Sequence, residues 1–334
     1  MIKLFRRQLS LLPQFLVRCV KRILRSTFEG AGLPFREKYA DRGLPRPVLH
    51  SLAVASANEY SKHRCQSADT YARRHSLEQS LLRDGETSFE TSGFCYVCGE
   101  RSRFHSDLLY GGTFSGGLSL PNWRERVVCK RCGLNNRVRA SIHLLEQIGT
   151  PAPDSRIYVT EQVTPLFKWL SVNYRQTIGS EYIGEAVPWG EKNSLGVRNE
   201  SVTQLTFADE SMDYILSFDV FEHVPDYLKA FRECVRCLRS GGMLLFTVPF
   251  RSDSVGHIER AFVTTDGQIV HRLPAEYHGD PFNAEGCLCF HHFGWALLDE
   301  LRNIGFVRVA AHLYWSDELG YLGGEQIIFV GYKK

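Results

Sequence analysis

The stretch Ser211–Phe250, SMDYILSFDVFEHVPDYLKAFRECVRCLRSGGMLLFTVPF, decides the fold. Its opening, MDYILSFDV, is an apolar run that reads as a strand. From Pro225 onward Leu228, Phe231, Val235 and Leu238 recur at steps of three and four, the spacing of one helix face, and Gly241-Gly242 is expected to close that helix. The run MLLFTVPF that follows has the continuous apolar character of a strand buried on both faces. A strand, a helix and a second strand in this order make a parallel pair with a crossover helix. Asp219, Glu222 and His223 then stand in the loop leaving the carboxyl end of the first strand, which is where open parallel sheets place their ligands.

The same alternation extends in both directions. VRASIHLLEQIG (from Val138) and VTPLFKWLSVNY (from Val163) read as helices, and SRIYVTE (from Ser155) and SEYIGE (from Ser180) as strands. After the decisive stretch, FGWALLDELRNIG (from Phe293) reads as a helix. FVRVAAHLYW (from Phe306) and QIIFVGYKK (from Gln326) read as two last strands able to pair as an antiparallel edge. The expected class is α/β, a seven-stranded, mostly parallel, Rossmann-like sheet over 141–334, with an insert over 251–292. Thr160 and Glu161 close the first strand and are site candidates. Glu185 is expected to close the second strand, where a carboxylate can accept from both hydroxyls of a ribose.

Upstream, Cys95-Tyr-Val-Cys98-Gly and Cys129-Lys-Arg-Cys132-Gly repeat one knuckle motif, with 30 residues between Cys98 and Cys129. Each knuckle offers two thiolates from a tight turn, so the four together suit a tetrahedral structural zinc site, and residues 89–140 read as a small zinc-ribbon-like module. Four buried free cysteines are the plainer alternative. Cys234, Cys237, Cys287 and Cys289 read as core residues. Residues 1–88 read as a helical region of modest burial. Its first part, 1–28, is basic and has apolar residues at near-helical spacing, as a helix lying on an anionic membrane surface would, or one packed on its own protein.

With 334 residues, 43% of them hydrophobic, and no apolar run of about 18 residues, the chain can bury a core and carries no spanning segment. It reads as cytoplasmic, with peripheral contact at the inner membrane face as the option that residues 1–28 leave open. A net charge of +3 is too small to imply nucleic acid as a partner, and few aromatics interleave with the arginines around the cysteine pairs.

Met212-Asp213, Ser217-Phe218-Asp219, Glu222-His223-Val224 and Arg236-x-Leu238-x-x-Gly241-Gly242 together resemble the central segment of class I S-adenosylmethionine-dependent methyltransferases of the type 11 group. The resemblance spans roughly 156–331. It implies a seven-stranded sheet with adenosylmethionine across its strand ends, and methyl transfer to a nucleophile of the acceptor. Two places depart from the pattern: the first loop, IYVTEQVTPLF, has no glycine, and Ser201 stands where an adenine-binding Asp is usual. A subset of the family with an upstream cysteine-pair module and Arg-x-Arg is similar to Cys129–Cys132 followed by Arg137-Val-Arg139. In that reading Glu161 meets the methionine amino group. The cofactor contacts implied are Thr160, Glu161, Glu185, Ser201, Asp219 and Phe221.

The insert resembles a segment of bacterial methyltransferases of glycan assembly, and it sits where such enzymes build the acceptor pocket. His257, Tyr277, Asp280 and His291 are the expected acceptor contacts. His278 and His223 are the candidate proton acceptors, since a histidine can act as a base near neutral pH. A surface loop with ordinary hydrogen-bonding histidines is the alternative there, and a loop-orienting role the alternative for His223. The leading expectation is a methyltransferase acting on a small-molecule or saccharide-type acceptor. The other is a binding protein that keeps the fold without catalysis and uses the zinc module for docking.

Overall fold

Side chains alternate along the central strands, and this alternation sorts the core into two halves. The computed structural model describes residues 47–82, 85–113 and 119–334. The basic segment 1–28 lies outside the described residues. In chain order, β1 (Ser51–Val54) precedes helices α1 (Ala57–Gln66) and α2 (Ala68–Ser80). The cysteine-bearing part holds β2 (Ser88–Cys95), β3 (Glu100–Asp107), α3 (Trp123–Arg126) and β4 (Val128–Cys129). Next come α4 (Asn136–Leu144), β5 (Arg156–Val159), α5 (Pro165–Asn173) and β6 (Gln176–Gly179). The last part contains β7 (Met212–Phe218), α6 (Tyr227–Cys237), β8 (Leu238–Thr247), α7 (Ala296–Ile304), β9 (Phe306–Ser316) and β10 (Tyr321–Lys333).

Seven of these strands form one sheet in the order β1-β9-β10-β8-β7-β5-β6. The pairs β5–β6, β5–β7 and β7–β8 are parallel, and β8–β10, β9–β10 and β1–β9 are antiparallel. The expected mostly parallel sheet is thus a mixed one. The final hairpin β9–β10 is not its edge, because β1 pairs outside β9. Of the helical region expected over 1–88, the described residues hold α1 and α2 after the strand β1, and Glu78 of α2 ties them to the hairpin by accepting from the N–H groups of Gly323 and Gly324 and from Trp315 Nε1.

One face of the sheet buries Ile157, Val159, Leu216 and Leu245 with α4, α5 and the cysteine-bearing part, including Cys95, Phe104 and Trp123. The other buries Tyr158, Ile215, Leu244 and Phe246 against Phe231 and Cys234 of α6 and Leu297, Leu298 and Leu301 of α7. Adjacent residues on one strand go to opposite cores, as the period of two requires. Among the described residues no helix is long and apolar enough to cross a membrane.

Two boundaries differ from expectation. Helix α6 ends at Cys237, with Leu238 already extended, so Gly241-Gly242 is not its cap. The glycines lie inside β8, where the register with β7 shifts between Leu238 and Met243 and Gly241 takes φ +75°. The second parallel strand is Gln176–Gly179, and the expected strand 180–185 keeps only a single bridge, Glu181 to Asn199.

Candidate functional site

The carboxyl ends of β5, β6, β7 and β8 converge on one polar region, fed from the sheet and from the cysteine-bearing part. Thr160 ends β5 and donates to Ser217 Oγ at 3.1 Å. Two residues past the end of β6, Glu181 Oε1 accepts from the N–H groups of Gln162 and Val163 at 2.7 and 2.9 Å. Glu181 therefore stands where Glu185 was expected. Glu185 is exposed and lies beyond that point in the following loop. Burial pushes the Glu181 carboxyl up to about 7, against the two N–H groups that lower it. Burial also raises the Glu161 carboxyl, while Thr164 and Arg137 oppose the rise.

The first loop has no glycine of its own, yet it comes close to the neighbouring strand. The glycine that permits this is Gly179, where an added Cβ would stand 2.7 Å from the Glu161 carbonyl oxygen and 2.6 Å from the Phe167 ring. Within the loop, residues 161–164 are partly exposed, and only Thr160 and Leu166 are buried.

Asp219 follows β7 in the left-handed region at φ +55°, a conformation an aspartate tolerates better than most residues. Its carboxylate receives both guanidinium nitrogens of Arg124 at 2.6 Å and the Thr247 hydroxyl at 2.9 Å, and Arg137 Nε lies 3.4 Å away. Burial alone would raise this carboxyl, but Arg124 and Arg137 together hold it well below the usual range. Glu125 balances the second arginine, accepting from Arg137 Nε at 2.7 Å. The two arginines of Arg137-Val-Arg139 divide their work. Arg137 reaches the strand ends, whereas Arg139 is fully buried and donates to the carbonyls of Leu319 and Gly320 at 2.8 Å, tying α4 to the β9–β10 turn.

Cys95, Cys98, Cys129 and Cys132 bring their four sulfurs within 4.8 Å of one another, with the Cys95–Cys132 and Cys98–Cys129 pairs at 3.8 Å. Four thiolates at about 2.3 Å from a zinc ion stand about 3.8 Å apart along the edges of their tetrahedron, so the donor set fits such an ion. Gly99 and Gly133 take φ +69° and +73°, the left-handed turns that fold each knuckle back on itself.

The expected acceptor-side residues fall into two groups. His223 and His278 meet, with His278 Nδ1 3.2 Å from His223 Nε2, and Glu222 joins them at the end of β7. His257 and His291 pack elsewhere, edge-on around the Tyr227 ring. His257 Nε2 lies 2.9 Å from Glu300 of α7, and His291 Nε2 lies 3.2 Å from the Pro225 carbonyl ahead of α6, so both tie the insert to the helices beside it. Tyr277 is exposed. Asp280 caps a turn by accepting from the Phe282 and Asn283 N–H groups. Phe221, expected at the cofactor, is a core residue packed on Phe231 and Phe246. Ser201 is partly exposed, its hydroxyl 3.0 Å from Thr203 Oγ1. The sequence pattern did not single out Glu181 or Arg124 as site residues. The short polar loop after a weak strand could have flagged Glu181, whereas nothing in the spacing signalled Arg124.

Residues 165–246 match the family model described as "Methyltransferase domain". A Mycobacterium tuberculosis protein named "Probable S-adenosylmethionine-dependent methyltransferase" is 33% identical over 79 residues, covering 23% of this chain and 29% of that protein. An "Uncharacterized methyltransferase" of a Mycobacterium species is 40% identical over 91 residues, 23% of this chain and 36% of its own length. The chain thus matches less than half the length of these curated relatives. Among solved structures, an S-adenosylmethionine-dependent methyltransferase from Mesorhizobium loti aligns with 58% of this chain and 98% of its own at 14% identity and a TM-score of 0.33. From α5 to β8, then, the chain matches the methyltransferase domain family over the strand, loop and helix that carry Asp219, Glu222 and His223.

Proposed function

We propose that the protein is an S-adenosylmethionine-dependent methyltransferase acting on a small-molecule or saccharide-type acceptor. The observation that carries this reading is Glu181, a carboxylate two residues past the second parallel strand that accepts from two N–H groups of the first loop. The family match over 165–246 supports it. In this reading Glu181 accepts from the ribose hydroxyls, Glu161 meets the methionine amino group, and Arg137, already near Glu161 and Asp219, faces the methionine carboxylate. Bound adenosylmethionine supplies a methyl group activated by its sulfonium. The transfer would leave the neutral thioether S-adenosylhomocysteine, and the proton of a hydroxyl acceptor would pass to solvent water. Alignment and exclusion of water carry most of such a transfer. The acceptor lies on the insert side, against Glu222, His223 and His278.

The four cysteines hold a structural zinc ion in this reading. The ion secures α3, and α3 presents Arg124 and Glu125 to the strand ends. A fold that binds without catalysis is the less favoured reading, because the acidic and basic groups of the strand ends are retained. Incubating the protein with methyl-labelled adenosylmethionine and fractionated saccharide and small-molecule extracts tests the proposal. Transfer of label supports it. Failure to bind adenosylmethionine at millimolar concentration overturns it.

A further inference from the structure

Glu222 is fully buried, and among the described residues neither of its carboxylate oxygens has a hydrogen-bond donor. A carboxylate in that state costs several kcal/mol unless a cation faces it. Its nearest basic atoms are His223 Nε2 and His278 Nδ1, each 3.6 Å from the same oxygen, Oε1, and 3.2 Å from each other. The three atoms form a nearly equilateral triangle.

Hydrogen bonds on the far side of each ring fix what the near side offers. His223 Nδ1 lies 2.8 Å from the Leu288 carbonyl oxygen, which can only accept, so this nitrogen carries the proton. His278 Nε2 lies 3.1 Å from Glu276 Oε1, so its proton is on that side as well. In their neutral forms the two rings held this way turn bare lone pairs toward each other and toward the carboxylate, whereas a second proton on His278, which Glu222 and Glu276 favour, would sit on Nδ1 and donate to His223 Nε2. Two ligands at about 2.1 Å from a metal ion stand about 3.0 Å apart at a right angle and about 3.4 Å apart at the tetrahedral angle. The observed edges of 3.2, 3.6 and 3.6 Å are close to the second value. A carbonyl and a carboxylate holding the distal N–H groups are the outer-shell partners that metal-bound histidines ordinarily have.

We propose that Glu222 Oε1, His223 Nε2 and His278 Nδ1 form a binding site for one divalent first-row transition-metal ion. Two imidazoles and one carboxylate on one face suit zinc, iron(II), cobalt(II) or manganese(II) and leave the remaining positions for oxygen ligands. The His223 and His278 side chains keep 14% and 32% of their exposure, so the open face is reachable. Site formation depends on this cluster alone. Its role rests on the methyltransferase reading: there the ion holds the acceptor hydroxyl and eases loss of its proton, and the histidines are ligands, not bases.

Cobalt(II) titration of the metal-stripped full chain separates this site from the four cysteines. The expected result is two equivalents, one giving the intense charge-transfer absorption of cobalt thiolates, the other only the weak visible bands of nitrogen and oxygen ligands. Glu222→Gln and His278→Asn keep the thiolate equivalent, which also reports that the module is folded, and bind the second at least about 100-fold more weakly. Binding of the thiolate equivalent alone by the unaltered chain overturns the proposal, and means that a proton on His278 balances Glu222. Unchanged second-site affinity in His278→Asn, which alters a partly exposed residue, overturns it equally. Adenosylmethionine affinity, measured on the same samples without metal, tests the methyltransferase reading separately.

Discussion

Replacing Glu181 by glutamine tests which acid grips the cofactor ribose. Glu181 Oε1 already accepts two backbone N–H groups of the first loop, and a glutamine oxygen can keep both. What the amide cannot do is accept a ribose hydroxyl at its second position, so the variant loses one charge-assisted hydrogen bond and keeps the loop. Such a bond contributes about 1.5–3 kcal/mol. At 1.4 kcal/mol per decade, adenosylmethionine binds about 10- to 100-fold more weakly to Glu181→Gln. Glu185→Gln, a change at an exposed residue, leaves affinity unaltered. The pH dependence adds a second readout. Burial raises the Glu181 carboxyl to about 7, and only its ionised form accepts fully, so affinity falls as pH drops through that value. Between pH 8 and pH 6 the ionised fraction falls about tenfold, and affinity of the unaltered protein falls with it. Glu181→Gln shows no such slope. Calorimetric titration at three pH values measures both effects. Equal affinity of Glu181→Gln and the unaltered protein, or loss of binding in Glu185→Gln, refutes the assignment.

Three further outcomes follow from the same geometry. Gly179→Ala sets a methyl group against the Glu161 carbonyl, so it lowers adenosylmethionine affinity by displacing the first loop, while thermal unfolding shifts by only a few degrees. With the zinc proposed for the four cysteines in place, Cys129→Ser or a chelator would loosen the module whose cysteines share a core with β5 and β7, and zinc release measured with a chromogenic chelator would coincide with a fall in melting temperature. Arg139→Met leaves the Leu319 and Gly320 carbonyls buried without their donor. At about 1–3 kcal/mol for each, urea unfolding shows a loss of about 2–6 kcal/mol, and Arg139→Lys recovers only part because lysine lacks the planar fork.

The parts legible in the sequence are those set by local pattern. The steps of three and four from Leu228 to Leu238 place α6, and the apolar run from Met243 places β8, because one buried face or two buried faces leave a period in the chain. The knuckle spacing marks the four cysteines for the same reason. Illegible features depend on contacts between distant residues. The four-residue β1 is too short to stand out against two long helices, and only its pairing with β9 makes it a strand. SEYIGE alternates as a strand would, yet the β-branched Thr177 and Ile178 just before it pair with β5, which moves the strand end and exchanges Glu185 for Glu181. Phe221 looked like part of a ligand loop because it stands beside Glu222, but the single turn there points alternate residues to the core and to the insert. The meeting of His223 with His278 spans 55 residues and is created by the docking of the insert, where the Phe290 N–H donates to the Glu222 carbonyl at 2.7 Å. The sequence shows these histidines without showing that they share one point with Glu222.

Amide hydrogen exchange of the full chain, with and without saturating adenosylmethionine, maps the cofactor directly onto the sheet. The account predicts slower exchange at 160–164, 181–183 and 217–223, the three loops at the carboxyl ends of β5, β6 and β7, and no change in the module strands β2 and β3. Protection confined to residues outside those three loops, or none at saturation, contradicts it.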